Sequence, residues 1–132
     1  MLVLDANVVL PACASDDGFD RFSGEPLVAP PLMWSEVTAA LHLGLTRGVI
    51  DREGAELSLQ RLDGCPISTR SPRSLRREAW RIADVLGMGR TYDAEYLALA
   101  SLLGCRLVTL DGRLRRGADS LGFVIGPEEL ER

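Results

Sequence analysis

The sequence has 132 residues, 46% hydrophobic and 26% charged, which fits one soluble domain spanning residues 1–132, and no apolar run approaches the roughly 20 residues that cross a bilayer. The N-terminus lacks a basic segment before its short apolar stretch and Asp5 interrupts that stretch, so a signal peptide is not expected and the chain is expected in the cytoplasm. A net charge of −4 speaks against a passive nucleic-acid coat, and the 15 basic side chains are all arginine, which excludes Schiff-base, P-loop and phospho-acceptor mechanisms that need a lysine.

In chain order, MLVL (Met1 to Leu4) reads as a buried strand, Asp16 to Phe22 as a short helix and Pro26 to Ala29 as a second strand. Pro30-Pro31 marks a boundary, after which Leu32 to Leu45 carries helical periodicity that ends near Arg47-Gly48. Asp51 to Leu62 is a further helix with Asp51 as its N-cap, and Pro66 to Thr69 a third strand. Ser74 to Leu86 is amphipathic and stops at Gly87, while Thr91 to Leu103 stops at Gly104. Arg106 to Leu110 and Phe123 to Ile125 complete a set of five strands. Strands separated by helices predict an α/β three-layer sandwich around a central parallel sheet.

Several features have bland readings. Cys13, Cys65 and Cys105 are odd in number and contain no CxxC pair, so they read as small buried or half-buried thiols. GMGRT looks superficially like a phosphate loop but lacks a lysine and a preceding strand, and it reads as a helix stop. His42 lies among apolar helix positions and reads as a packed histidine.

The acids are less easily dismissed. Ligand crevices of open parallel sheets lie outside the carboxyl ends of the strands, and Asp5 and Asp111 each follow a predicted strand. Either alone could simply begin a turn. Glu36 shares a helical face with Leu32, Met33, Ala40 and Leu43, and Asp93 aligns with Leu97 and Ala100, so both fall on apolar stripes. Asp93 also suits a first helical turn, with Thr91 as the cap. Glu95 falls on a different face and is expected in solvent. Carboxylates gathered together raise one another's pKa unless something positive sits among them. With one histidine and no lysine, the fitting partner is a hard divalent cation, Mg²⁺ or Mn²⁺.

The stretches LDANVVL with Asp5, SEV with Glu36, TYDAEYLALA with Asp93 and LVTLDGRL with Asp111 resemble, in that order, the acidic motifs of PIN-domain proteins. The length and the form of the last helix–strand pair are most similar to the VapC toxins of bacterial toxin–antitoxin pairs. This resemblance covers essentially the whole chain. It implies a Mg²⁺- or Mn²⁺-dependent endoribonuclease with Asp5, Glu36, Asp93 and Asp111 as its acidic site. Asp5 and Asp93 would be the nearest metal ligands, Glu36 a ligand or a base through water, and Asp111 a ligand to a second or water-bridged ion. Gly112 stands where some relatives carry a polar or acidic residue, which puts that second position in doubt. It further implies an RNA substrate, a cognate VapB-type antitoxin, a homodimer and a toxin–antitoxin hetero-oligomer.

Around these acids, Asn7 and Thr109 are placed to hydrogen-bond them, or serve only as turn and strand residues. Arg113, Arg115 and Arg116 follow Asp111 and either hold RNA phosphates or form a solvated turn. The arginines of RSPRSLRREAWR read as an exposed helix face able to meet a partner's acids. The rival reading is a PIN module that binds RNA or protein without cutting. All four acidic positions are filled, which argues against it.

Overall fold

The computed structural model describes residues 1–131, and Arg132 lies outside the described residues. Five short strands, β1 (Leu2–Leu4), β2 (Leu27–Ala29), β3 (Ile67–Thr69), β4 (Arg106–Val108) and β5 (Val124–Ile125), form one sheet in the order β3-β2-β1-β4-β5. Every pairing is parallel, with Val3 opposite Val28 on one side and Leu107 on the other. The central strands β1 and β2 are buried at every residue, as expected where helices cover both faces of a parallel sheet. At the β3 edge, Ser68 and Thr69 are exposed.

Six helices flank this sheet: α1 (Ala6–Ala12), α2 (Leu32–Thr46), α3 (Arg52–Asp63), α4 (Leu75–Leu86), α5 (Tyr92–Leu103) and α6 (Gly112–Gly117). The three-layer α/β sandwich read from the sequence is the architecture found. α5 lies directly on β1 and β4 and carries α4 on its back, while α1, α2 and α3 pack in succession. Its run from Ala94 to Ala100 is buried apart from Glu95, which makes α5 the most enclosed helix of the fold. No helix among the described residues is long and apolar enough to cross a membrane.

Local chemistry explains most of the boundaries. The Asp51 carboxylate accepts the Gly54 amide at 2.7 Å and caps α3 as expected. Gly87 and Gly104 close α4 and α5 at φ 70° and 65°, a left-handed conformation that costs a side-chain-bearing residue. Thr91, by contrast, makes no side-chain cap for α5.

Elsewhere the structure corrects the reading. Instead of a helix over Asp16–Phe22 there are turns and one 3-10 turn, Asp20–Phe22. The chain doubles back so tightly that a Cβ on Gly18 would collide with the Ala12 carbonyl. Two helices were not anticipated. α1 follows β1 without a linker despite two adjacent valines and an internal Pro11, all of them poor helix formers. α6 is six residues long and bounded by glycines at both ends. His42 stands exposed on α2, not packed.

This topology sets the position of the site. The chain moves from β1 to β2 in one direction and reaches β4 on the opposite side of β1, so the strand order reverses between β1 and β4. A crevice opens outside the carboxyl ends at such a switch point. Asp5 directly follows β1, and Thr109 directly follows β4.

Candidate active site

Asp5 is the most enclosed of the acids, only 5% exposed. The amide of Asp5 donates to the Val108 carbonyl at 3.0 Å, which fixes the end of β1 against β4. Its Oδ2 accepts the hydroxyl of Thr109 at 2.8 Å and the Asn7 Nδ2 at 3.3 Å. Thr109, fully buried, also accepts the Asp111 amide at 3.1 Å, and Asn7 Oδ1 accepts the Leu110 amide at 3.0 Å. Asn7 and Thr109 thus lace the two strand ends together and hold one carboxylate. The sequence left Asn7 and Thr109 either as hydrogen-bond partners of the acids or as turn and strand residues; both make the hydrogen bonds.

Burial pushes the Asp5 carboxyl up to about 6; the Thr109 hydrogen bond pulls it down, and the nearby Asp93 and Glu36 carboxylates raise it again. The charges acting most strongly on Asp5 therefore share its sign. Asp93 occupies the first turn of α5, beyond the strand ends, and is exposed where the sequence pattern pointed it inward. Its carboxyl is also raised, by burial and by Asp111. Each of the four sequence-predicted acids therefore acts on at least one other, with Asp5 joined to Glu36 and Asp93, and Asp93 to Asp111.

Two functional neighbours were missed. Tyr96, completely buried on α5, donates its hydroxyl to Glu36 Oε1 at 2.6 Å and so sets the direction of that carboxylate. The available signal was a tyrosine inside an otherwise aliphatic helical run, since a buried phenol needs a partner. Burial and Glu36 together hold the Tyr96 hydroxyl far above the usual phenol range, so it remains a donor. Glu95, expected in solvent, is half-buried, and its carboxyl is raised by burial and then by Glu36.

Asp111 caps a helix. Its Oδ1 accepts the amides of Arg113 at 2.9 Å and Leu114 at 3.1 Å, capping α6, so the turn-forming role weighed for it is realised. Both bonds fall on one oxygen. The three arginines that follow separate. Arg113 lines a small pocket with Asp93 and Asp111. Arg115 is held by Glu128 at 3.0 Å and by Glu129, so its guanidinium is engaged by carboxylates. Arg116 is exposed and lines a different depression with Asp119 and Val124.

A divalent cation fits this site by its donor chemistry: the oxygens are carboxylates, and Asp5 is charged against its environment with like-charged neighbours. Among the described residues no three acidic, imidazole or thiol side chains close around a single point. The four acids picked out in the sequence therefore form no ready three-ligand cage among the described residues. Cys13, Cys65 and Cys105 are free thiols, and burial pushes all three up, so they are poor thiolate ligands.

Comparison with known proteins gives a consistent picture. A model of the PIN domain matches residues 2–119. The VapC ribonuclease Mb0985 of Mycobacterium bovis is 31% identical over 115 residues, spanning 86% of this chain and 88% of that protein. Ribonuclease VapC9 of Mycobacterium tuberculosis matches at the same 31% over 115 residues. The crystal structure of PAE2754 from Pyrobaculum aerophilum superposes with a TM-score of 0.77 at 24% identity, covering 98% of this chain and 90% of that one, and shares its fold.

Proposed function

Because this chain belongs to the PIN domain family and to its VapC-type members, we propose that it is a Mg²⁺- or Mn²⁺-dependent endoribonuclease, the toxin of a toxin–antitoxin pair. The observation that carries this reading is Asp5, a buried carboxylate at the switch point whose strongest charged neighbours, Asp93 and Glu36, are also acids. A cation among these carboxylates would relieve the mutual repulsion that raises them.

A bound divalent cation would supply positive charge against the phosphoryl oxygens and a more acidic attacking water. Asp5 and Asp93 are the residues that would hold it, with Asp111 able to offer its Oδ2. Thr109 and Asn7 keep Asp5 fixed so that no reorganisation is needed when the phosphodiester arrives. Glu36, held through Oε1 by Tyr96, takes a proton from the attacking water as that oxygen bonds to phosphorus and the P–O bond to the leaving oxygen breaks, the leaving oxygen taking its proton from solvent. Arg113, beside Asp93 and Asp111, faces the phosphate as a charged donor.

The proposed partners are a cognate VapB-type antitoxin and a second copy of the chain. Leu43 on α2 and Leu57 and Leu59 on α3 are exposed and supply apolar area for such contacts.

Cleavage of a mixed cellular RNA pool tests the reading, run with Mg²⁺, with Mn²⁺ and with a chelator beside Asp5→Asn and Asp93→Asn. Discrete cuts that need the metal and vanish in both variants are the expected result. Absence of cuts from folded, antitoxin-free protein with either metal would leave a module that binds without cutting.

A further inference from the structure

A groove of about 920 Å³ runs along the start of α4. Its lining includes Pro31, the N-cap of the α2 helix that carries Glu36, Thr91, the N-cap of α5, and Glu95, two residues beyond Asp93. The groove therefore borders the ends of the two helices that carry Glu36 and Asp93. Its far wall is of opposite charge. Arg76, Arg77 and Trp80 lie on one face of α4, with Arg73 in the turn just before it, while the buried Leu75 and Ala79 also line the groove and Ile82 and Ala83 turn to the core.

Some arginines of this chain are spent on carboxylates: Arg61 on Asp16, Arg81 on Glu78, Arg106 on Glu25 and Arg115 on Glu128 and Glu129. Arg73 and Arg77 make no such pair among the described residues and stand exposed. Trp80 is 71% exposed, a large apolar ring left in water at the groove's edge. Free guanidinium groups interleaved with an open indole, on an otherwise acidic molecule, match a polyanion that carries flat stacking faces.

We infer that Arg73, Arg77 and Trp80 form a single-strand RNA groove at the starts of the two helices that carry Glu36 and Asp93, the arginines holding backbone phosphates and the indole stacking a base. This rests on the nuclease reading. Double-stranded RNA is a poor fit, because a base must leave its stack to reach the indole. Arg76 and Glu95 both line the groove, and the Glu36 charge raises the Glu95 carboxyl in turn.

The test uses the full chain with Asp5→Asn to prevent cutting, and a labelled unstructured RNA of about twelve nucleotides, within the length that such grooves hold. Affinity is measured across a salt series for this parent, for added Arg73→Gln with Arg77→Gln, and for added Trp80→Ala. These positions are exposed, and circular dichroism checks that the fold is kept. The arginine pair is expected to weaken binding at least tenfold and flatten the slope of log K against log salt by about 1.4. Trp80→Ala is expected to weaken it about fivefold to a hundredfold with little change in slope. If both sets bind like the parent with the same slope while the wild-type chain still cuts RNA, the groove inference is overturned alone, and the surface passes to an acidic protein partner. If the wild-type chain neither cuts nor binds RNA, the nuclease reading falls and this inference with it.

Discussion

Tyr96 and Glu36 meet at 2.6 Å, a phenol buried on α5 donating to a carboxylate on α2, so the two helices are tied where the acids gather. Removing only the hydroxyl tests what that contact does. Tyr96→Phe keeps the ring in the core and frees Glu36 to turn. RNA cleavage is expected to fall about tenfold to a hundredfold, in the range typical for groups that orient site residues. Loss of stability should stay near the ~1 kcal/mol of one hydrogen bond. A variant that cuts at the wild-type rate would show that Glu36 needs no such support.

Asp5 predicts a pH dependence of stability. Its carboxyl is about 6 in the folded chain against 3.8 for an ordinary aspartate, so the folded state binds this proton more tightly than the unfolded state does. The contribution to stability is therefore complete below about pH 4 and is lost as pH rises through 6. At pH 7 in chelator the buried charge costs on the order of 3 kcal/mol, by the usual conversion of a shift of about two units. Asp5→Asn should then melt higher than wild type at pH 7, and Mn²⁺ should raise wild type more than the variant. Equal melting curves in chelator would remove the argument from burial.

Asp111 separates capping from charge. Asparagine caps helices about as well as aspartate, whereas alanine does not. Asp111→Asn should keep stability within about 0.5 kcal/mol, and Asp111→Ala should lose about 0.5–2 kcal/mol as the bonds to Arg113 and Leu114 go. Both should cut RNA more slowly. Chemical denaturation beside cleavage rates distinguishes the two duties, and full activity in Asp111→Asn would reduce this residue to a cap.

Arg115 is expected to be structural. Its links to Glu128 and Glu129 pin the 3-10 turn at Pro127–Glu131, which follows β5, against α6. Arg115→Ala should cost no more than about 1 kcal/mol, because the pairs are part-exposed. RNA affinity should not change. A drop in affinity larger than that given by Arg113→Ala would reverse the assignment.

The sheet and four of the helices were legible because long apolar patterns, proline boundaries and glycine stops act locally. α1 and α6 were not, since each is shorter than the window in which periodicity shows, and each contains helix breakers overruled by packing and by Asp111. The acids were legible as residues out of place. Their surroundings were only half so: Asn7 and Thr109 sat next to acids in sequence, whereas Tyr96 reaches Glu36 across 60 positions. The fates of Arg113, Arg115 and Arg116 depended on which acids the fold brings near, and helical phase alone does not give that.

The lacing of Asp5 to Thr109 joins residues 104 positions apart. A ribosome delivers the chain from its N-terminus, and contacts this distant form only after nearly everything between has been made. Asp5 is made well before β4, Thr109 and Asp111. An RNA-cutting chain is made with RNA all around it. With these segments so far apart in synthesis, a copy that stops short of β4 has no assembled site to turn on its own message.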